Sequence, residues 1–291
     1  MRVFVTGASG FIGSATVREL IGAGHSVLGL ARSDEAAAIV AAAGAEVYRG
    51  SIDDLDSLHA GAAAAEGVIH TAFNHNFATF VANCEADRGV IEALASALEG
   101  SDRPLVVTSG TGFHKENHRA AEFKSHPRLA TEETAGKVAA RGVRTSVVRL
   151  PPSVHGEGEH GFVPMIIAAA REKGASAYVG DGLNRWPAVH RLDAARLFRL
   201  ALEKGAGEAW YHGVGDEGVE FKTIAEAIGR HLQLPVVSKA QVDAGAHFGF
   251  LGGFAGVNCP NTSVLTQELL GWKPVGMGLI EDIEAGHYFG A

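Results

Sequence analysis

The sequence predicts an α/β fold, a doubly wound parallel sheet followed by a smaller C-terminal α/β lobe, on three observations. Short β-rich apolar runs alternate with longer Ala-rich segments through the first half of the 291 residues. A glycine-spaced turn, Gly7-x-x-Gly10-x-x-Gly13, separates the first such run from the first helical segment. Beyond Pro151-Pro152 the alternation loosens into Gly-rich loops.

The elements follow in order. Strands are expected over residues 3–6, 27–31, 47–49, 68–72, 105–109 and 146–149, the short β-rich apolar runs. Apolar residues at helical spacing place crossover helices over 13–23, 34–43, 55–65 and 77–98. An unusually short helix is expected between the fifth and sixth strands, and further helices over 161–173, 193–203, 223–232 and 279–288. The runs Ala36 to Ala38 and Ala41 to Ala43 read as good helix former.

Composition narrows the function. The net charge is -8 and no run of Lys or Arg appears, which excludes the electrostatic footprint of a nucleic-acid binder and favours a small-molecule partner. No apolar stretch approaches the roughly 20 residues that span a bilayer. With the first strand beginning at Arg2, a cytoplasmic protein without a signal peptide is expected. Cys84 and Cys259 form no CxxC pair, so neither a disulfide framework nor a metal site is expected.

The glycine turn follows a strand and opens a helix, so backbone amides of Gly7, Ser9, Gly10, Phe11, Ile12 and Gly13 can face a pyrophosphate where a larger residue would block its approach. This is a Rossmann-type dinucleotide site. Where an NAD-selective domain places a carboxylate, at the end of the second strand, this chain has Ala31, Arg32 and Ser33. Arg32 can form a charge-assisted bond to a 2′-phosphate and Ser33 can add a hydroxyl, so the expected cofactor is NADP(H). Residues 1–150 are the expected NADP-binding domain. Residues 151–291 are mainly a substrate-binding lobe, with some segments returning to the core.

At this point the residues resemble the extended and atypical branches of the short-chain dehydrogenase/reductase family, the group of NAD(P)-dependent epimerases, dehydratases and reductases. Thr6-Gly7-Ala8-Ser9-Gly10-Phe11-Ile12-Gly13 matches the family turn. Gly50-Ser51-Ile52-Asp53-Asp54 resembles the segment that meets the adenine, with Ser51 where many members carry Asp. Val68-Ile69-His70-Thr71-Ala72-Phe73 is similar to the fourth-strand motif lining the cofactor, and Val106-Val107-Thr108-Ser109-Gly110-Thr111-Gly112 to the active-site fifth strand. Arg149-Leu150-Pro151-Pro152-Ser153-Val154-His155-Gly156 resembles the segment whose backbone meets the nicotinamide carboxamide. Asn184 to Asp193 stands in the place of the family's substrate-lobe Arg and structural Asp, and Leu270-Gly271-Trp272-Lys273-Pro274 resembles its C-terminal signature. The resemblance implies cofactor contacts from Ser51, Ile52, Asp53, Thr71, Ala72, Phe73, Thr108, Pro151, Pro152, Ser153 and Val154.

The pattern breaks at the family's acid, a Tyr whose pKa is lowered by a Lys four residues on. None of Tyr48, Tyr178, Tyr211 and Tyr288 stands between the fifth and sixth strands, where the chain reads Arg128-Leu129-Ala130-Thr131-Glu132-Glu133. Substitutes must come from elements converging at the strand carboxyl ends. Ser109 and Thr111 meet that test, and either hydroxyl can bond a substrate carbonyl or cap the loop after the fifth strand. His75, His114 and His155 also follow strand ends and can protonate an oxygen near neutral pH; Lys124 and Lys137 can replace the missing Lys. His155 is taken with Ser109 and Thr111 as the catalytic set, and His75, Arg185 and Trp186 as substrate contacts. Phe162 and Phe248 are a possible apolar wall with Trp186, or core. His155, Glu157, Glu159 and His160 are read as a mobile rim rather than metal ligands, since two glycines leave the imidazoles unfixed.

The leading functional expectation is an NADP(H)-dependent oxidoreductase acting on a small carbonyl-type or related unsaturated substrate. Two alternatives stay open: a sugar-nucleotide epimerase or dehydratase, and a noncatalytic NADP(H)-sensing protein. A homodimer is plausible.

Overall fold

The computed structural model describes residues 1–111, 126–207 and 209–290. The chain opens with β1 (Arg2–Thr6), α1 (Phe11–Gly22), β2 (Ser26–Ala31), α2 (Asp34–Ala42), β3 (Glu46–Arg49), α3 (Leu55–Ala63) and β4 (Gly67–His70). A 3-10 turn at Phe77–Thr79 leads into α4 (Phe80–Ser96), followed by β5 (Leu105–Gly110), α5 (Leu129–Ala140) and β6 (Thr145–Leu150). Next come β7 (Ser153–His155), α6 (Phe162–Lys173), β8 (Ser176–Val179), β9 (Arg185–His190), α7 (Arg191–Lys204) and β10 (Ala209–His212). The last part holds β11 (Asp216–Glu220), α8 (Phe221–Leu232), β12 (Val236–Lys239), short helices α9 (Ala244–Phe248) and α10 (Gly252–Ala255), then α11 (Val264–Leu270) and α12 (Leu279–Glu284).

Two compact units result. The first comprises Met1–Arg149, Ala194–Gly213 and Val264–Lys273. It contains a seven-stranded parallel sheet in the order β10-β6-β5-β4-β1-β2-β3. The order reverses between β1 and β4, which pair with Val3 opposite Gly67 and Thr6 opposite His70. In an open α/β sheet such a reversal leaves a crevice at the strand carboxyl ends, because the crossover helices leave to opposite faces there. Phe4, Leu28, Val68 and Val107 pack with Leu58 of α3, Ile91 and Leu94 of α4 and Val138 of α5 into one core. Complete burial of each such side chain contributes roughly 1.5–3 kcal/mol.

The second unit comprises Leu150–Asp193, Val214–Ser263 and Pro274–Ala291. Its two small sheets, β11-β9-β7 and β12-β8, enclose a core with Trp186 at the centre. The Trp186 ring lies 4.9 Å from both the Phe221 and Phe254 rings and 5.7 Å from Phe162.

Several boundaries move. The helix between β5 and β6 is a full 12 residues rather than unusually short. β4 stops at His70, because Thr71 turns its hydroxyl onto the Thr6 carbonyl. α12 ends at Glu284, before Gly286 turns left-handed at φ 86°. No helix among the described residues is long and apolar enough to cross a membrane.

Candidate functional site

In the first unit the turn after β1 is dictated by what surrounds it. Gly7 has φ 69°, and a Cβ there would stand 2.7 Å from the Ala72 amide nitrogen. A Cβ on Gly13 would stand 1.9 Å from the Gly7 carbonyl oxygen. These contacts draw the ends of β1 and β4 and the start of α1 together. Gly10 is exposed and its N–H donates to the Gly7 carbonyl at 2.9 Å. No side chain caps α1 and no acidic residue stands in its first turn, so the positive end of its dipole is left to an anion. Ser9, Phe11 and Ile12 are half-buried along this rim and Gly13 is buried. The arrangement fits a pyrophosphate, so these residues would hold a dinucleotide.

At the ends of β2 and β3, Arg32 and Ser33 are exposed. Ser33 caps α2 by accepting from the Ala36 amide at 3.2 Å, an arrangement that leaves its hydroxyl a donor. Arg49, which sequence reasoning passed over as the last residue of a strand, is in register with Ala31 and bonds Asp34 at 2.5 Å. The Asp34 side chain is 97% exposed, so that pair contributes little and leaves the guanidinium free to turn to a phosphate. Ser51 and Asp53 close a local turn on one another, Ile52 packs on the core and Asp54 caps α3.

A buried polar chain runs across the ends of β1, β4 and β5. Thr6 Oγ1 meets His70 Nδ1 at 2.7 Å, and His70 Nε2 meets Asp87 Oδ1 at 3.0 Å. Asp87 Oδ2 accepts from an Arg128 Nη at 3.0 Å and from the Thr131 hydroxyl. The other Arg128 Nη donates to the Thr108 carbonyl at 3.0 Å, and the guanidinium carbon lies 3.9 Å from the centre of the Phe73 ring. Thr108 in turn donates its hydroxyl to the His70 carbonyl at 2.8 Å. Burial alone would raise the Asp87 carboxyl. The His70 hydrogen bond and charge, the Arg128 cation and the Thr131 hydroxyl outweigh it and hold the pKa down to about 2.

One turn along α5, Glu132 makes a two-bond pair with Arg149 at 2.9 and 2.6 Å, both side chains buried. Arg128 and Glu132 therefore stand four residues apart on one helix, and each is engaged by a different opposite charge. That spacing was the available signal for Arg128. Asp87 gave none, since an acid within a helix reads as a solvated face.

The remaining expected residues divide between the units. Ser109 and Thr111 are buried at the end of β5. Thr71 and Ala72 are half-buried beside the glycine turn, and exposed His75 has its ring 5.2 Å from that of Phe73. His114 and Lys124 lie outside the described residues. Lys137 is exposed in the last turn of α5, away from Arg128 at the opposite end of that helix.

In the second unit, Pro151 and Ser153 are buried, and Pro152 and Val154 half-buried. His155 is wholly enclosed, its Nδ1 on Asp282 at 3.0 Å. Asp282 lies within the same unit, and the buried Nε2 of His155 has no hydrogen-bond partner among the described residues. Trp186 is 1% exposed within an aromatic cluster in the core of its unit, and Phe248 joins the same cluster. Arg185 is exposed and lines a shallow cleft with Asp216, Glu217 and Pro260. Within the expected rim, Glu157 and His160 are exposed, while Glu159 accepts from the Tyr288 hydroxyl at 2.7 Å and Gly156 donates its amide to that oxygen at 3.1 Å.

Comparison with known proteins places these features. The model of the NAD dependent epimerase/dehydratase family matches residues 3–212. An uncharacterized protein of Schizosaccharomyces pombe is 50% identical over 99% of this chain and 100% of its own length. One of Saccharomyces cerevisiae is 47% identical over 99% of both. A 4-hydroxy-2-methyl-3-oxo-4-farnesyl-3,4-dihydroquinoline-1-oxide ketoreductase of Stigmatella aurantiaca is 26% identical over 86% of this chain and 80% of its own. Among solved structures, the dTDP-glucose 4,6-dehydratase DesIV of Streptomyces venezuelae, with NAD bound, superposes with a TM-score of 0.77 at 20% identity. It covers 99% of this chain and 96% of that one, a likeness of fold.

Proposed function

The chain belongs to the NAD dependent epimerase/dehydratase family, within the extended short-chain dehydrogenase/reductase superfamily, and from that premise we propose that it is an NADP(H)-dependent oxidoreductase acting on a small carbonyl-type or related unsaturated substrate. The observation that carries this reading is the basic rim at the ends of β2 and β3. Arg32 and Arg49 flank the position where a carboxylate would select the ribose hydroxyls of NAD, and Asp34 is turned onto Arg49. The ketoreductase relative supports reduction as the reaction class.

When bound, the nicotinamide supplies the hydride; the chain supplies binding and orientation. The uncapped start of α1 with Ser9 and Gly10 binds the pyrophosphate, and Arg32, Ser33 and Arg49 grip the 2′-phosphate. Ile52 and Asp53 would border the adenine, and Thr71, Ala72, Phe73 and Thr108 would hold the nicotinamide at the strand ends. Ser109 and Thr111 orient the substrate oxygen from the end of β5, with His75 at the rim.

The test is NADPH consumption over a panel of aldehydes, ketones and activated alkenes. Turnover that prefers NADPH to NADH is the expected result. Tight cofactor binding with no turnover on the panel would instead favour the noncatalytic sensor, a reading prompted by the absent Tyr-x-x-x-Lys. Conversion of UDP- or dTDP-sugars would favour the epimerase or dehydratase reading prompted by the fold.

A further inference from the structure

Arg128 is placed against the ordinary preference of a helix. It is the N-cap residue of the 12-residue α5, a cation at the positive end of the helix dipole, and its side chain is only 14% exposed. A charge so enclosed is costly unless paired, and the pairing is specific. Asp87 takes one Nη, the Thr108 carbonyl takes the other, and Asp87 is fixed by His70 and Thr131. The side chain has five N–H donors, and those not given to Asp87 and Thr108 have no partner among the described residues. Departures from local preference of this kind concentrate at functional positions.

One aromatic ring faces the guanidinium, and others pack behind it. Phe73 lies under it, His75 and Phe80 pack on Phe73 at 5.2 and 6.0 Å, and His126 packs on Phe80 at 5.9 Å. The planar guanidinium fork matches a carboxylate, and the rings match a flat apolar body. Glu132, four residues on, is fully engaged by Arg149, so the two charges of α5 do not neutralise each other.

We propose that Arg128 is the specificity-determining residue of the substrate site, an anion receptor that takes the carboxylate of a flat, unsaturated substrate at the ends of β4 and β5. The inference rests on the reading that the substrate sits at these strand ends, and it does not depend on turnover. Asp87, His70 and Thr131 are positioning residues that act through Arg128.

The probes are para-carboxybenzaldehyde and para-carbamoylbenzaldehyde, alike in shape and different in charge. Their binding to the NADP-loaded protein is measured by calorimetry for the wild type, Arg128→Lys and Arg128→Met. NADPH titration and thermal melting report whether each variant is folded. The wild type is expected to bind the acid roughly 10- to 100-fold more tightly than the amide, the range of a charge-assisted pair. Arg128→Met weakens the acid far more than the amide and so removes that difference, and Arg128→Lys keeps part of it, because an ammonium carries the charge without the fork. Equal binding of acid and amide by the wild type overturns the proposal even if neither variant folds. A preference for the acid that survives in a folded Arg128→Met protein overturns it as well. Acid binding that depends on Arg128 with no reduction of any carbonyl leaves this inference standing and removes the oxidoreductase reading. Turnover that does not distinguish acid from amide does the reverse.

Discussion

Glu159 and Asp282 share one hydroxyl, that of Tyr288, at 2.7 and 3.0 Å. Burial raises the Glu159 carboxyl; the bonds from Tyr288 and the Val163 amide oppose the rise, the neighbouring Asp282 charge adds to it, and the pKa settles at about 7. Its folded pKa therefore lies above its unfolded one. Between pH 4.5 and about 7 the native state holds a proton that the unfolded chain has released, so the Glu159 contribution to stability falls as pH rises through that window. His190 and His126 are held low by burial and act in the opposite sense, which makes the difference between two proteins the informative quantity. Glu159→Gln keeps the shape and removes the titration, so its melting temperature relative to wild type should climb steadily from pH 5 to pH 7.5. A difference that stays flat across this range would contradict the assignment. None of this was legible at residues 155–160, because the partners of His155 and Glu159 lie 127 and 129 residues away in sequence. Two glycines suggested looseness, and nothing in the local sequence signals the long-range bonds.

At the scale of elements, the turn between β1 and α1 carries the account. Alanine is a better helix former than glycine by about 1 kcal/mol, so Gly13→Ala on propensity alone would stabilise α1. The structure places the new Cβ 1.9 Å from a backbone carbonyl oxygen, which cannot yield as a side-chain tip can. Gly13→Ala is expected to lower stability by roughly 2 kcal/mol or more and to weaken NADPH binding; urea unfolding and nucleotide titration measure both. A more stable variant with intact binding would contradict the turn geometry.

The same scale shows what patterning reveals. Six strands of the first unit were readable to within two residues because each is an apolar run bounded by turn residues and helices. β10 was not, for Ala209–His212 is four residues long and follows Gly205 and Gly207. Most strands of the second unit are as short or contain glycine, and β9, six residues long, is buried on both faces at residues 186–189, so it carries no alternation to detect. Arg128 carried only its four-residue spacing to Glu132, which does not by itself mark out an arginine at a helix start. Only the fold brings it to Phe73 and Asp87.

For the molecule as a whole, the strand order places the glycine turn, the basic rim and the Arg128 chain along the carboxyl ends of one sheet. The glycine turn of this arrangement was legible, because the close approach of β1, β4 and α1 demands glycines at fixed spacing. The substrate half was not, since Trp186 and His155 satisfy packing and pairing needs within the second unit that no spacing announces. A net charge of -8 makes a local basic rim the more telling, because the overall field repels an anionic cofactor and local cations must recover it.

The measurement that tests the central claim most directly is titration of the wild type and of Arg32→Asp with NADPH and with NADH, followed by nucleotide fluorescence. Preferential binding of NADPH, lost by roughly 10- to 100-fold in Arg32→Asp while NADH binding holds, is the predicted result. Equal affinity of the wild type for both nucleotides, or an NADPH preference untouched by the substitution, would contradict it.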